Sequence, residues 1–472
     1  MNWTLFQPEL YYFMVVMVFL TVSMLNSVSV KTNYYTALIS AVIGVAVCTM
    51  SLRVNGTLFY NTYRVDLYSQ LFKLMLAVGM FLVISVCNKL KSVDDSRHPE
   101  FYLLVATATL AMMMLTSAVH LLTIYICLEL SSYSLYILVF LRKDQETGVN
   151  TALKYFLTGA SASAVMLFGF ALVYGKFPSI YLADLVESIP RFIDQPSVSI
   201  GMLLMLCGFF FKLGVFPFHF WLPDTYEGSA NETTTFIATV SKVAAIAIMI
   251  RMVALIGGNS VYLIKVLIGI SVITMTLGNL CAIAQQDLKR LLAYSSIAHA
   301  GYVLLGILCM SPNGYTGAVF YAVTILLLKF TCFMVVISIS KKGESPSVDQ
   351  LAGLHRRSPL LALALMLALF GLAGIPPTIG FSGKLLIFTA AMNNGYFLLV
   401  FIAMVNVVIS LYYYLLVLKA AYLKEPVDDI QPLHVPFPQK VLTTALIITI
   451  VTIGIFPTYL IDLADAAVKY LM

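Results

Sequence analysis

The sequence predicts an all-α integral membrane protein with about fourteen transmembrane helices. Three observations carry that expectation. Of the 472 residues, 60% are hydrophobic and only 11% charged, with a mean hydropathy of +0.93, whereas a soluble domain carries about 25% charged residues. Apolar stretches near the ~20 residues needed to cross a bilayer recur along the whole chain. The segments between them are too short to hold a soluble domain. A soluble enzyme is therefore excluded before any motif is read.

In chain order the spans are 9–29, 34–52, 69–88, 100–117, 119–141, 152–175, 200–222, 232–255, 261–284, 291–310, 315–340, 359–390, 395–421 and 441–462. The opening MNWTLFQPELYYF lacks the basic start of a signal peptide, so the first stretch is read as a retained span. Ser179–Arg191 is short and amphipathic and is expected at the membrane interface. Seven cysteines lie singly in apolar stretches, with no CxxC pair. Zinc and iron–sulfur sites want clustered thiolates, so neither a metal nor a cofactor site is expected in this chain. No basic run resembles a nucleic-acid patch. Fourteen basic residues, among them Lys91, Arg142, Lys143, Lys341 and Lys342, follow odd-numbered spans, against seven, including Arg251 and Lys265, elsewhere. Basic loops stay inside, which puts the odd loops inside and both termini outside.

Ionisable residues also stand where a bilayer disfavours them, at about 2.5–3.5 kcal/mol each near the centre. Glu129 sits in IYICLELSSYSLYIL, Lys212 in GFFFKLGVFPFHFW, Lys242 in FIATVSKVAAIAIMI, Lys329 in ILLLKFTCFMVV and Lys384 in GIPPTIGFSGKLLIF. His299, in SSIAHAGYVLL, is a sixth. Snorkelling to the headgroups accounts for Lys73, Lys154 and Lys265 near span ends, but not for Lys242 or Lys329, which have long apolar flanks on both sides. A packing ion pair is the plain alternative for Glu129 with Lys212, and a satisfied core histidine for His299. Four buried lysines and one buried carboxylate cannot all pair, however. Burial without a counter-charge disfavours an ammonium, and an amine that readily gives up and regains its proton is suited to a relay.

Two spans are interrupted. Span seven carries Gly214 and Pro217 in KLGVFPFH, and span twelve carries Gly374, Pro376 and Pro377 in GLAGIPPTIGFSG. Proline forbids the regular helix, and freed backbone groups at membrane depth survive only beside a polar cavity or protein partners. Paired breaks, an odd number of spans apart and each with a nearby lysine, fit inverted repeats. Carbonyls near Leu372 and Ile375 should lack helical donors. Gly380, Ser382 and Gly383 leave room for water beside Lys384, so a hydrated pocket between His299 and Lys384 is expected.

The stretch FKLGVFPFHFWLPDTYEG, followed by TVSKVAAIAIMIR, resembles the antiporter-like membrane subunits of respiratory complex I and of multisubunit sodium/proton antiporters. NLCAIAQQDLKRLLAYSSIAHAGYVLLG and LAGLHRRSPLLALALMLALFGLAGIPPTIGFSGKLLIF are most similar to the subunit N family of proton-pumping NADH:quinone oxidoreductase. The likeness covers roughly residues 100–420. It implies N-terminal helices 1–3 over residues 1–99, a repeat of spans four to eight over 100–256, an inverted repeat of spans nine to thirteen over 257–421, and a final helix over 422–472. It further implies a proton relay in which Glu129 pairs with Lys212, Lys242 is central and Lys384 stands on the exit side. Separating that pair would drive a proton from Lys212 towards Lys242, since unit charges at ~4 Å interact by ~4 kcal/mol at an effective dielectric near 20. Lys329 resembles a lysine that some relatives place four residues after a histidine. Here that position is Ile325, which puts a linking role for span eleven in doubt, so that His299 with Ser295, Ser296 and Tyr302 could supply the link through water. NADH, FMN, iron–sulfur clusters and quinone would belong to partner subunits. The partners would be a sibling antiporter-like subunit, small hydrophobic subunits and lipid, in a bacterial inner membrane. A sodium/proton antiporter subunit, or a subunit of a related hydrogenase or dehydrogenase complex, is the alternative. A passive scaffold fits poorly with unpaired lysines.

Overall fold

The computed structural model describes residues 3–25, 29–257, 260–340, 343–425 and 432–471. Lys341 and Lys342, counted above among the loop charges, lie outside the described residues. The helices are α1 (Gln7–Leu25), α2 (Val30–Met50), α3 (Leu67–Ser85), α4 (His98–Ser117), α5 (Leu121–Phe140), α6 (Gln145–Lys176), α7 (Leu182–Phe192), α8 (Pro196–Leu213), α9 (Trp221–Gly228) and α10 (Asn231–Ala254). They continue as α11 (Val261–Ile283), α12 (Leu288–Leu308), α13 (Pro312–Ile339), α14 (Leu354–Arg357), α15 (Pro359–Ala373), α16 (Ile379–Asn393), α17 (Phe397–Leu423), α18 (Phe437–Ile455) and α19 (Thr458–Val468). Among the described residues, thirteen helices are long and apolar enough to cross a membrane. The shorter apolar α15 and α16 form the two halves of a fourteenth, broken span, so the expected count stands. The last span ends at Ile455 rather than 462, because Pro457 stops it and α19 starts anew at Thr458.

Side-chain caps start several of these helices. Asp66, Asp144, Ser260, Asp287 and Ser311 each accept a hydrogen bond from the backbone N–H three residues on, satisfying a donor that the helix leaves free. Short backbone bridges then sort the loops onto two faces. Tyr63 pairs with Ala118 and His120 with Tyr181, joining the loops after spans two, four and six. Val93 pairs with Arg142 and Asp287 with Ser347, joining those after spans three, five, nine and eleven. Leu5 packs on the first face with Leu58 and Tyr63, and Leu471 lines a cavity of about 660 Å3 there. The chain therefore begins and ends its described course on the face of the even-numbered loops.

The centre is α10, buried along its whole length, with α12 and α13 nearly so; α10 packs against α3, α4, α8, α12 and α13. By contrast α1, α2 and α18 are mostly exposed and turn apolar surfaces outward.

Lys73 and Arg251 are among the charges expected to reach the surface that do not. Lys73 is fully buried and forms an ion pair of 2.7 Å with buried Glu9, whose Oε1 also accepts from Tyr63 at 2.6 Å. Arg251, counted as a loop charge, lies inside α10 and donates to both carboxylate oxygens of Asp66 at 3.0 and 3.1 Å. Lys154 does reach the surface, where it pairs with Asp224 at 2.9 Å, and Lys265 is exposed. The buried carboxylates are Glu9, Asp66 and Glu232, while Glu129, read as the one buried acid, is half-buried. The partners of Lys73 and Arg251 come from distant helices, which no local pattern discloses.

Removing one member of a buried pair strands the other at a cost of about 3–5 kcal/mol. Glu9→Gln is expected to lower the thermal unfolding midpoint of the purified protein clearly. Adding Lys73→Met should recover much of the loss; an unchanged midpoint in Glu9→Gln would remove the pair from the determinants of stability.

Candidate functional site

Both interrupted spans end their first half in the same way. After α8, Gly214 adopts a left-handed conformation (φ 76°), and N–H groups of Gly214 and Val215 turn back onto Phe211 and Phe210 at 3.0 and 2.8 Å. After α15, Gly374 (φ 85°) and Ile375 do the same onto Gly371 and Phe370, both at 2.9 Å. This motif satisfies two of the four carbonyls at a helix C-terminus. The next two carbonyls face an ammonium in each case. Lys242 Nζ donates to Leu213 O and, at 3.3 Å, to Lys212 O. Lys384 Nζ donates to Leu372 O at 2.7 Å and Ala373 O at 3.1 Å. As expected, Leu372 and Ile375 lose their helical donors; Thr378 supplies the replacement at Ile375, its hydroxyl donating at 2.6 Å. Proline follows each glycine at the third position, Pro217 and Pro377, with Pro376 before the latter.

Aromatic rings sit against these ammoniums. The Trp221 ring lies 5.6 Å from Lys242 Nζ, and its indole N–H is a second donor to the Phe211 carbonyl, at 3.0 Å. The Tyr302 ring lies 4.8 Å from Lys384 Nζ. Cation–π attraction adds to the carbonyl contacts in such desolvated surroundings.

Lys212 departs from its expected partner. Among the described residues no N–O distance of 4 Å or less links it to Glu129; its ammonium donates instead to Ser131 at 3.1 Å and Ser132 at 2.9 Å. Glu129 turns towards α6 and accepts from Ser163, yet remains near enough for its charge to act on Lys212. The two groups are electrostatic neighbours separated by a serine pair, not a contact ion pair.

On α13, Lys329 Nζ donates to Ser295 Oγ at 2.7 Å and Leu292 O at 3.0 Å. Ser295 is hydrogen-bonded to Tyr414, Tyr414 to His299 Nε2 at 3.2 Å, and His299 Nδ1 to Tyr321 at 2.7 Å. Span eleven is therefore connected to His299 through a serine and a tyrosine despite Ile325. Ser296 plays no part in that chain and donates to its own helix at Leu292 O, 2.8 Å away. Lys242, Ser296, His299, Ile325 and Lys329 line a small cavity of about 10 Å3, about the room that one water needs. Ile325 forms part of its apolar wall. Tyr302 lies edge-on to His299, ring centres 5.8 Å apart, between that cluster and Lys384. Tyr321 and Tyr414 escaped the sequence reading, since a tyrosine in an apolar helix carries no local sign that its hydroxyl points inward.

The charges follow a single order: Lys212 and Lys329 both act on Lys242, and Lys329 and Lys384 both act on His299. The seven cysteines are free, and no His/Cys/Asp/Glu cluster among the described residues could hold a metal.

Two interrupted spans, each with a lysine on its freed carbonyls, thus flank the buried centre. The family described as NADH:quinone oxidoreductase/Mrp antiporter, transmembrane, matches residues 118–410. NADH-quinone oxidoreductase subunit N 2 of Syntrophobacter fumaroxidans is 52% identical over 472 residues, covering 100% of both chains. A chain of respiratory complex I from Thermus thermophilus with bound Aureothin superposes with a TM-score of 0.85 at 31% identity, over 97% of this chain and 99% of that one. The Mrp complex from Dietzia sp. DQ12-45-1b includes a chain with the same fold, TM-score 0.89 at 20% identity, over 100% and 98% of the two. The chain belongs to the NADH:quinone oxidoreductase/Mrp antiporter membrane family, and within it to the NADH-quinone oxidoreductase subunit N group.

A Cβ on Gly374 would stand 2.9 Å from Lys384 Cδ, besides forcing a left-handed alanine, itself worth about 1–2 kcal/mol. Gly374→Ala should lower both the unfolding midpoint and turnover of the assembled complex. Gly395→Ala carries the same backbone strain (φ 80°) with nothing within 4 Å and should lower the midpoint alone. Equal turnover in the two variants would show that crowding Lys384 is without consequence.

Proposed function

We propose that the chain is a proton-translocating membrane-arm subunit whose relay runs through Glu129, Lys212, Lys242, Lys329, His299 and Lys384. The observation that carries this reading is that four lysines buried at membrane depth are held by neutral acceptors: hydroxyls and carbonyls. A lysine locked to a carboxylate resists losing its proton, whereas one held by lone pairs keeps its place in either state. Glu129 modulates Lys212 through the serine pair. A proton leaving Lys212 passes to Lys242, then by the one-water cavity to the Lys329–Ser295–Tyr414–His299 chain, and past Tyr302 to Lys384. In this reading NADH, FMN, iron–sulfur clusters and quinone are held by partner subunits, and redox chemistry occurs there. A sibling antiporter-like subunit, small hydrophobic subunits and lipid surround the chain in a bacterial inner membrane, with the basic odd-loop face inside and both termini outside.

The deciding test replaces the central amine. Lys242→Ala, reconstituted as the assembled complex in vesicles, should keep its subunit composition while proton pumping coupled to quinone reduction stalls. Parent-like pumping per quinone reduced would sink the relay. For the modulating acid, Glu129→Gln should depress turnover and Glu129→Asp should retain much of it, because the carboxylate acts through charge and not through a fitted contact. A Gln variant as active as the parent at every pH would leave Glu129 a packing residue.

A further inference from the structure

Glu232 is a buried acid outside the relay described so far. It lies in the first turn of α10, only 2% exposed, and its Oε2 has no hydrogen-bond partner. A first-turn carboxylate favours the helix dipole by a few tenths to 1 kcal/mol when exposed. Burial leaves one carboxylate oxygen without a donor, at a cost greater than that benefit, so helix stability alone does not explain it. The titratable groups that face it are Lys91 and Lys289, Cys87 at the end of α3 and Tyr102 on α4. Neither lysine forms an ion pair with it among the described residues. Lys289 donates instead to Ser229 O, Asn231 Oδ1 and Glu227 O at 2.8, 3.0 and 3.3 Å, and Lys91 to Ser340 O at 2.6 Å. Two cations thus lie near Glu232 without clamping it.

The position connects two places. On the basic face, an open polar cavity of about 550 Å3 is lined by Lys91, Ser92, Arg142, Lys143, Asp144 and Glu344, among others, so Lys91 stands both at that vestibule and beside Glu232. In the other direction, residues 232, 235, 239 and 242 recur at helical spacing on one face of α10. Glu232 and Lys242 are separated by about 15 Å of helix at 1.5 Å per residue, and Thr235 and Thr239 divide the interval. Each threonine hydroxyl donates to the carbonyl four residues back, Asn231 at 2.7 Å and Thr235 at 2.6 Å, which leaves its lone pairs free to accept.

We propose that Glu232 is the proton-uptake group of the first repeat. It takes a proton on Oε2 from the vestibule at Lys91 and passes it, by way of the Thr235 and Thr239 hydroxyls and intervening water, to the neutral amine of Lys242. One O–H bond breaks at the carboxyl and one N–H bond forms at the lysine, restoring the carboxylate. The inference rests on the relay reading of Lys242.

Pumping by the assembled complex in vesicles, measured across pH, tests it. Glu232→Gln should lower pumping severalfold, and the loss should steepen as pH rises and bulk protons grow scarce. Glu232→Asp should restore most of it, and the carboxyl C=O band in infrared difference spectra should vanish in Gln and shift in Asp. A parent-like Glu232→Gln, or a loss equal at all pH values and not rescued by Asp, overturns the proposal. Should Glu232→Gln fail to assemble, Thr239→Val keeps the carboxyl group and interrupts the route; it must then show the same pH-steepened loss, and parent-like pumping there also overturns the proposal. Lys242→Ala run in parallel separates the two ideas. A stalled Lys242→Ala beside a normal Glu232→Gln rejects only the uptake group, whereas normal pumping in both rejects the relay itself.

Discussion

A backbone carbonyl inside a bilayer must have a donor, and most of this site follows from how that demand is met at two places. Where α8 and α15 stop, the turn at Gly214 and Gly374 satisfies two carbonyls and a lysine satisfies the next two. Break and lysine form one device. Without the ammonium the carbonyls would be orphaned at depth, and without the break the ammonium would have no acceptors. The negative end of the helix dipole adds about half an elementary charge of the right sign. A positive group can therefore live at mid-membrane with no carboxylate in contact.

That arrangement changes what the charges can do to one another. Each lysine is held by groups that carry no full charge, so its field is not cancelled locally and reaches its neighbours. Two like charges ~10 Å apart still repel by about 1.7 kcal/mol at an effective dielectric near 20, more than a tenfold bias in a protonation equilibrium. Lys329 and Lys212 both act on Lys242, and Lys329 and Lys384 both act on His299. Propagation then needs no large motion, only the gain or loss of a proton at one end.

The fold and the breaks were legible because they rest on local signals. Hydropathy marks a span, and a glycine with a proline three residues on marks where it stops. All six candidate relay residues were legible too, as ionisable groups without an exposed place to go. Pairing was not. Lys73 and Arg251 read as surface charges because Glu9 and Asp66 approach from other helices, and the expected contact between Lys212 and Glu129 gave way to Ser131 and Ser132, small hydroxyls that no composition argument would single out. Tyr321 and Tyr414 were hidden for the same reason: whether an aromatic hydroxyl faces lipid or a histidine depends on helix rotation. Glu232 was missed because an acid just inside a helix start looks like a cap.

The bond between Asp66 and Arg251 also constrains how the chain is made. Asp66 starts α3 and Arg251 lies in the last turn of α10, 185 positions further on. When the third span is in place the eighth has yet to be synthesised, so the carboxylate must wait. It can, because Ser69 N–H at 2.7 Å and Arg64 at 3.3 Å already hold it at the membrane surface. When the eighth span crosses, its guanidinium arrives beside that carboxylate and fastens α10 to α3. The helix that carries Lys242 is thus also the one that fixes α3.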